Sequence, residues 1–221
     1  MGMFKRQTVA EGLVEVLREA ILNGDIPEGE QLRQDAIAKK YDVSRIPVRE
    51  ALRQLEAEGL IISQAHRSAV VASLSLKEVE ELFEIRAALE PKLLATALPR
   101  LTEADFDSAE KTLDDYDKAL AEGDVAQWGA LNRMFHNCLF EKADRAQTMA
   151  IINSLGQKVD RYTRMQLQFT DGVRRAQDEH REMLRLCREG KKEEVCKLLE
   201  DHILNAGRSL VAYLAEKHDK E

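Results

Sequence analysis

The chain has 221 residues, 44% of them hydrophobic and 33% charged, with a formal net charge of −7 and only 5% aromatics. That is the make-up of one or two ordinary soluble domains. No apolar run approaches the roughly 20 residues that span a bilayer, and the opening MGMFKRQTVAEG lacks the apolar core of a signal peptide. The expected setting is the cytoplasm, with no membrane partner. Cys138, Cys187 and Cys196 form no CxxC pair and are expected to be free thiols.

Charged residues alternate with Leu and Ala over long stretches, which points to a mostly helical protein. The charge is unevenly spread: residues 1–70 hold 10 Lys and Arg against 11 Asp and Glu. The acidic excess therefore lies beyond residue 70, and a local basic face can still serve DNA.

In chain order, Thr8 to Asn23 carries Val9, Leu13, Val16, Leu17, Ala20 and Ile21 at helical spacing, and Gly24 stops it. Leu32 to Tyr41 predicts a second, short helix. Asp42 and Val43 form a tight turn, and Ser44 is a natural N-cap. A third helix over Arg45 to Glu58 has the apolar stripe Val48, Ala51, Leu52 and Leu55, and Gly59 ends it. LIIS and AVVAS follow as two β runs around QAHRS. Three helices and a β-hairpin describe a winged helix-turn-helix.

Arg45, Arg49 and Arg53 share one face of the third helix. A helix lying in the major groove needs donors near its N-terminal end. Arginine suits guanine or phosphate because its planar fork donates twice. Ser44 can reach a phosphate, and His66 and Arg67 sit at the hairpin tip, where a wing touches the minor groove or backbone. A solvated surface face is the alternative reading of the same charges.

From Ser75 the texture becomes helical throughout. Ser75-Leu-Lys-Glu78 fits a capping box. Six helices are expected, over about 75–98, 102–122, 125–142, 144–169, 172–189 and 191–217, with Pro91 kinking the first. The boundary falls near residue 73, giving a DNA-binding domain over 1–73 and an all-α six-helix bundle over 74–221. The fold class is mainly α.

Three of the five histidines fall on inner faces of separate helices. His136 lies with Trp128, Leu131, Phe135 and Leu139. His180 lies with Val173, Ala176, Met183 and Cys187, and His202 with Leu198, Leu199 and Ala206. Asn132 precedes His136 by one turn. Each alone is an ordinary core histidine, but together they can converge on a divalent metal inside a bundle. Arg86 lies on the stripe Val79, Leu82, Phe83, Leu89 and Leu93, so it needs an anionic partner. That partner is either a buried carboxylate such as Glu90 or a bound organic acid.

The segment ILNGDIPEGEQLRQDAIAKKYDVSRIPVREALRQLEAEGLI resembles the N-terminal domain of GntR-family bacterial transcription regulators. The resemblance implies DNA contacts at Arg45 and Arg49, with Ser44 beside them and Arg33 on a phosphate. The family often has Gly at the wing tip, where Ser68 stands here. IRAALEP, NRMFH, EH at 179–180 and DHI at 201–203 resemble the FCD domain of the FadR branch, and six helices resemble its VanR-type subgroup. The resemblance implies a metal, possible as zinc, nickel or manganese, on Asn132, His136, His180 and His202. Asn132 departs from the commoner Asp, and an amide oxygen is a neutral, weaker ligand. It also implies a small organic acid effector near Arg86 and a homodimer on a palindromic operator.

A metalloenzyme with an accessory winged helix is the competing reading. The chain offers no clear general base near the histidines and no GxSxG motif. A winged helix used to bind protein is a third reading, which the arginine ridge disfavours, because protein interface cores are depleted of charge.

Overall fold

The computed structural model describes residues 8–22, 25–64, 68–72, 75–170 and 172–218. They fall into two compact units, Met1–Leu74 together with Leu214–Glu221, and Ser75–Tyr213.

In the first unit, α1 (Val9–Leu22) begins at a reciprocal cap. The Glu11 amide donates to Thr8 Oγ1 at 3.1 Å and the Thr8 amide donates to Glu11 Oε2 at 2.7 Å, satisfying two donors that a helix start leaves open. Leu13, Val14, Leu17 and Ile21 are buried, and the helix packs on α3 (Arg45–Ala57). The α3 stripe Val48, Ala51, Leu52 and Leu55 is buried as expected. Gly59 follows at φ 81°, and Asp42, at φ 52°, turns the chain between α2 (Gln34–Lys40) and α3. A short polar side chain tolerates that left-handed geometry.

The expected hairpin forms as β2 (Ile61–Gln64) and β3 (Ser68–Val71), but a further strand, β1 (Gln31–Arg33), completes a sheet in the order β1-β3-β2. Both pairings are antiparallel, with Leu32 opposite Ala69 and Ile62 opposite Val70. The helix expected to begin at Leu32 therefore starts at Gln34. Three residues are too few to carry a period, and Leu32 is buried through its pairing with β3.

The second unit holds α4 (Leu76–Ala97), α5 (Glu103–Glu122), α6 (Val125–Phe140), α7 (Ala146–Ser154), α8 (Gly156–Phe169), α9 (Gly172–Arg188) and, as far as Tyr213, α10 (Lys192–His218). Ser75 caps α4 by accepting from the Glu78 amide at 3.2 Å, and Pro91 sits within α4 without ending it. Where the sequence reads one helix over 144–169, the chain makes two, α7 and α8. Leu155 keeps right-handed angles, φ −85° and ψ −9°, but its amide bonds back only three residues to Ile152 at 3.2 Å, and Gly156 follows. Among the described residues this unit thus shows seven α-helices rather than six, which removes the ground for the VanR-type likeness.

Helix α6 is central, packed against α4, α5 and α8. Its approach to α8 depends on Gly129, where a Cβ would stand 2.4 Å from the Asp160 carbonyl oxygen. Likewise a Cβ on Gly207 of α10 would meet Phe83 of α4 at 2.8 Å. Among the described residues no helix is long and apolar enough to cross a membrane.

Candidate functional site

Ser44, Arg45, Arg49 and Arg53 are all exposed at or along α3. Ser44 occupies the N-cap in extended geometry, but its hydroxyl makes no capping hydrogen bond and so stays available to a phosphate. Arg45 Nε lies 2.6 Å from Asp35 Oδ1, both side chains more than 60% exposed. A pair this solvated contributes about 1 kcal/mol at most, so a phosphate can displace Asp35. Arg33 is exposed and donates from Nε to Gln31 Oε1 at 2.9 Å. Ile46 is 60% exposed on the first turn of α3, a site the charge pattern did not single out. An apolar side chain there can meet a thymine methyl. His66 and Arg67 lie outside the described residues.

In the helical unit, His136 of α6, His180 of α9 and His202 of α10 come together. Each offers one ligand atom within 4.8 Å of the others, and all three are buried. Imidazole nitrogens sharing one ion at about 2.1 Å each sit roughly 3 to 3.5 Å apart, a separation that the His180–His202 pair meets at 3.2 Å. His180 Nε2 and His202 Nε2 are 3.2 Å apart, and His202 Nδ1 lies 2.5 Å from Glu179 Oε2. His136 Nδ1 is 3.2 Å from Glu90 Oε2. That approach falls short of an aligned hydrogen bond: both ring nitrogens of His136, and Nδ1 of His180, lack a hydrogen-bond partner among the described residues. Buried polar atoms are rarely left so.

Burial pushes His136 down to about 4, with Glu90 opposing, and pushes His180 well below the usual imidazole range. Both rings are therefore neutral near pH 7, which is the form that binds a metal. The residues fit a divalent cation, with neutral nitrogen donors converging in a dry interior.

Arg86 is buried and donates to Glu90 from Nε at 2.6 Å and from Nη2 at 3.4 Å. Burial alone would raise the Glu90 carboxyl. The Arg86 charge and His136 outweigh it and hold Glu90 at about 2. Asn132 is buried and, with Arg86, Thr163, Gln166, Glu179 and His202, lines a cavity of about 20 Å³, room for about one water.

Residues 9–71 match the family model for bacterial regulatory proteins of the gntR family, and residues 81–205 match the FCD domain. The chain belongs to the GntR family and carries an FCD domain. It is a DNA-binding transcription regulator. Over 158 residues it is 33% identical to a probable D-xylose utilization operon transcriptional repressor of Paenarthrobacter nicotinovorans, covering 70% of this chain and 68% of that one. Over 126 residues it is 32% identical to the uncharacterized HTH-type transcriptional regulator YdhC of Bacillus subtilis, covering 57% of this chain and 56% of that protein's length. Among solved structures, a GntR family member from Pseudomonas syringae pv. tomato is 33% identical, with a TM-score of 0.56 over 94% of this chain and 88% of the other.

In this regulator the four expected ligand positions lie in one region: the three histidines as a cluster, with Asn132 lining the same cavity as His202. Arg86 has Glu90 as its partner, the buried-carboxylate alternative of the two weighed from sequence. Glu179, which approaches His202, entered the sequence reading only as part of EH at 179–180 and was given no role there. Glu58 was missed as well. It is fully buried in the winged-helix unit, where the Arg18 fork donates at 2.8 and 2.5 Å and Gln54 at 3.1 Å.

Proposed function

We propose that this regulator binds a palindromic operator as a homodimer and that a small organic acid, docked beside a divalent metal in the FCD domain, modulates the binding. Residues 1–73 carry the DNA contacts in this reading. Arg49 and Arg45 reach base edges or phosphates, Ser44 and Arg33 reach phosphates, and His66 and Arg67 serve on the wing. Residues 74–221 carry the effector site and dimer contacts, and the protein works in the cytoplasm. The observation that carries the metal reading is the convergence of three buried histidines from three helices. His136, His180 and His202, with Asn132, would hold the ion, and zinc, nickel and manganese all suit such a donor set.

The ion would supply Lewis acidity toward a carboxylate. Arg86 adds fixed positive charge beside it, held in place by Glu90. Asn132, Gln166 and Thr163 line the same cavity, and the buried Thr163 Oγ1 has no hydrogen-bond partner among the described residues, which supports a ligand bearing hydroxyls. The likeness to a repressor named for D-xylose utilization is in keeping with such a ligand. An acid of several carbons exceeds 20 Å³, so its entry must open the helices. It alters operator affinity only by binding one arrangement of the protein better than another.

The test is elemental analysis of the purified protein, followed by operator titration with and without a panel of hydroxy acids, before and after chelation. About one metal per chain, and an acid effect lost on chelation, is the expected outcome. Metal-free protein that responds fully to an acid would overturn the role of the ion.

A further inference from the structure

The two carboxylates at the histidine cluster are not placed as ligands. Glu179 approaches the outer nitrogen of His202, Nδ1, at 2.5 Å, while Nε2 of the same ring faces His180 at 3.2 Å. Glu90 stands 3.2 Å from Nδ1 of His136 and is itself clamped by Arg86. Resting on the metal reading above, we propose that Glu179 is a positioning residue: its carboxylate accepts a hydrogen bond from His202 Nδ1 and so leaves Nε2 of that ring bare toward His180.

The proton count follows from hydrogen-bond chemistry. A carboxylate oxygen in this contact accepts, so the proton shared with Glu179 is carried by His202 Nδ1. Its Nε2 is then a bare acceptor. The 3.2 Å contact with His180 Nε2 requires a proton between the two nitrogens, so His180 supplies it from Nε2. His180 Nδ1 is left bare, which agrees with its having no donor or acceptor partner among the described residues. One chain of single protons accounts for every contact of both rings: His180 Nε2–H to His202 Nε2, then His202 Nδ1–H to Glu179. For His180 to ligate a cation through Nε2, its proton would shift to the bare Nδ1 of the same ring, which frees both Nε2 atoms to face the ion. Outer partners that fix the tautomer of a ligating imidazole also raise its basicity.

Glu179 has Arg175 at 3.8 Å, half exposed, and so is held only loosely on its outer side.

The experiment reads tautomers without any metal. Long-range proton–nitrogen NMR on the full-length, uniformly nitrogen-15-labelled, chelator-treated protein at pH 8 assigns each ring, with His136→Gln, His180→Gln and His202→Gln identifying the signals. The expected result is His202 protonated on Nδ1 and His180 on Nε2, with Glu179→Gln releasing His202 into a mixture, because an amide both donates and accepts. Zinc competition against a chelator should then show affinity falling about 10- to 100-fold in Glu179→Gln, with the melting point of the metal-free form held within a few degrees. A His202 proton found on Nε2 in the unsubstituted protein, or a tautomer unmoved by Glu179→Gln, overturns the inference. Tautomers as expected in a protein that takes up no zinc would keep the positioning role and discard the metal reading, so the two fail separately.

Discussion

Replacing Arg86 by Ala removes the cation from a carboxylate that has no route to water. The side chains of Arg86 and Glu90 are 6% and 2% exposed. In the intact protein Glu90 is held at about 2 against an ordinary 4.5. At about 1.4 kcal/mol per pH unit, that depression contributes on the order of 3 kcal/mol to stability. The sign follows from the folded value lying below the unfolded one. The contribution is complete above about pH 4.5 and is lost as pH falls through about 2. An independent expectation for stripping one partner from a buried pair is about 3–5 kcal/mol, so the two routes agree.

In Arg86→Ala the dominant influence left on Glu90 is burial, which raises its carboxyl, with His136 as the remaining counterweight. The sign then reverses, and the variant loses stability as pH rises through the ordinary carboxylate range. Urea unfolding of chelator-treated protein at pH 5 and pH 8 measures this. A deficit of about 3 kcal/mol or more at pH 8, smaller at pH 5, is expected, and the double variant Arg86→Leu/Glu90→Leu should recover most of it, since an apolar pair of similar volume is often neutral. An Arg86→Ala variant as stable as the parent at pH 8, or a double variant no better than the single, would refute the reasoning.

Three further outcomes are expected. Arg49→Ala should weaken operator binding by about 1–3 kcal/mol and relax specificity at one position if it reads a base, or weaken all sequences alike if it touches phosphate; fluorescence anisotropy on matched and scrambled duplexes distinguishes these, and unchanged binding removes Arg49 from the interface. His180→Ala should leave purified protein with markedly less metal than the parent by elemental analysis, since it deletes one of three converging imidazoles. Gly129→Ala should destabilise by about 1–3 kcal/mol through overpacking, because its Cβ would stand 2.4 Å from the Asp160 carbonyl oxygen; a gain of about 1 kcal/mol, the helix-propensity expectation for an open site, would show that α6 and α8 can part freely.

Local chemistry made much of the first unit legible. The stripe of α3 was readable because Val48, Ala51, Leu52 and Leu55 recur at helical spacing, and its end because Gly59 can take the φ of 81° that stops it. Strand β1 was not readable: three residues carry no period, and Leu32 becomes a strand residue only because β3, more than thirty positions later, supplies its hydrogen bonds. The break at Leu155 was half legible. Gly156 marked a weak point, but a weak point becomes an end only when packing favours bending there.

The sequence by itself determined which residues face inward, since helical period fixes the face of a side chain, and it drew His136, His180, His202 and Arg86 onto buried stripes. Periodicity is a property of one helix and says nothing about which stripes meet. Only the tertiary structure decided that α6, α9 and α10 bring their histidines within 4.8 Å of one another. It alone resolved the partner of Arg86 as Glu90 one turn on, and turned Glu179, read from sequence only as part of EH at 179–180, toward His202 on another helix. The close approaches at Gly129 to Asp160 and at Gly207 to Phe83 were likewise decided only in three dimensions, because the absence of a side chain acquires meaning only when a second helix occupies the space.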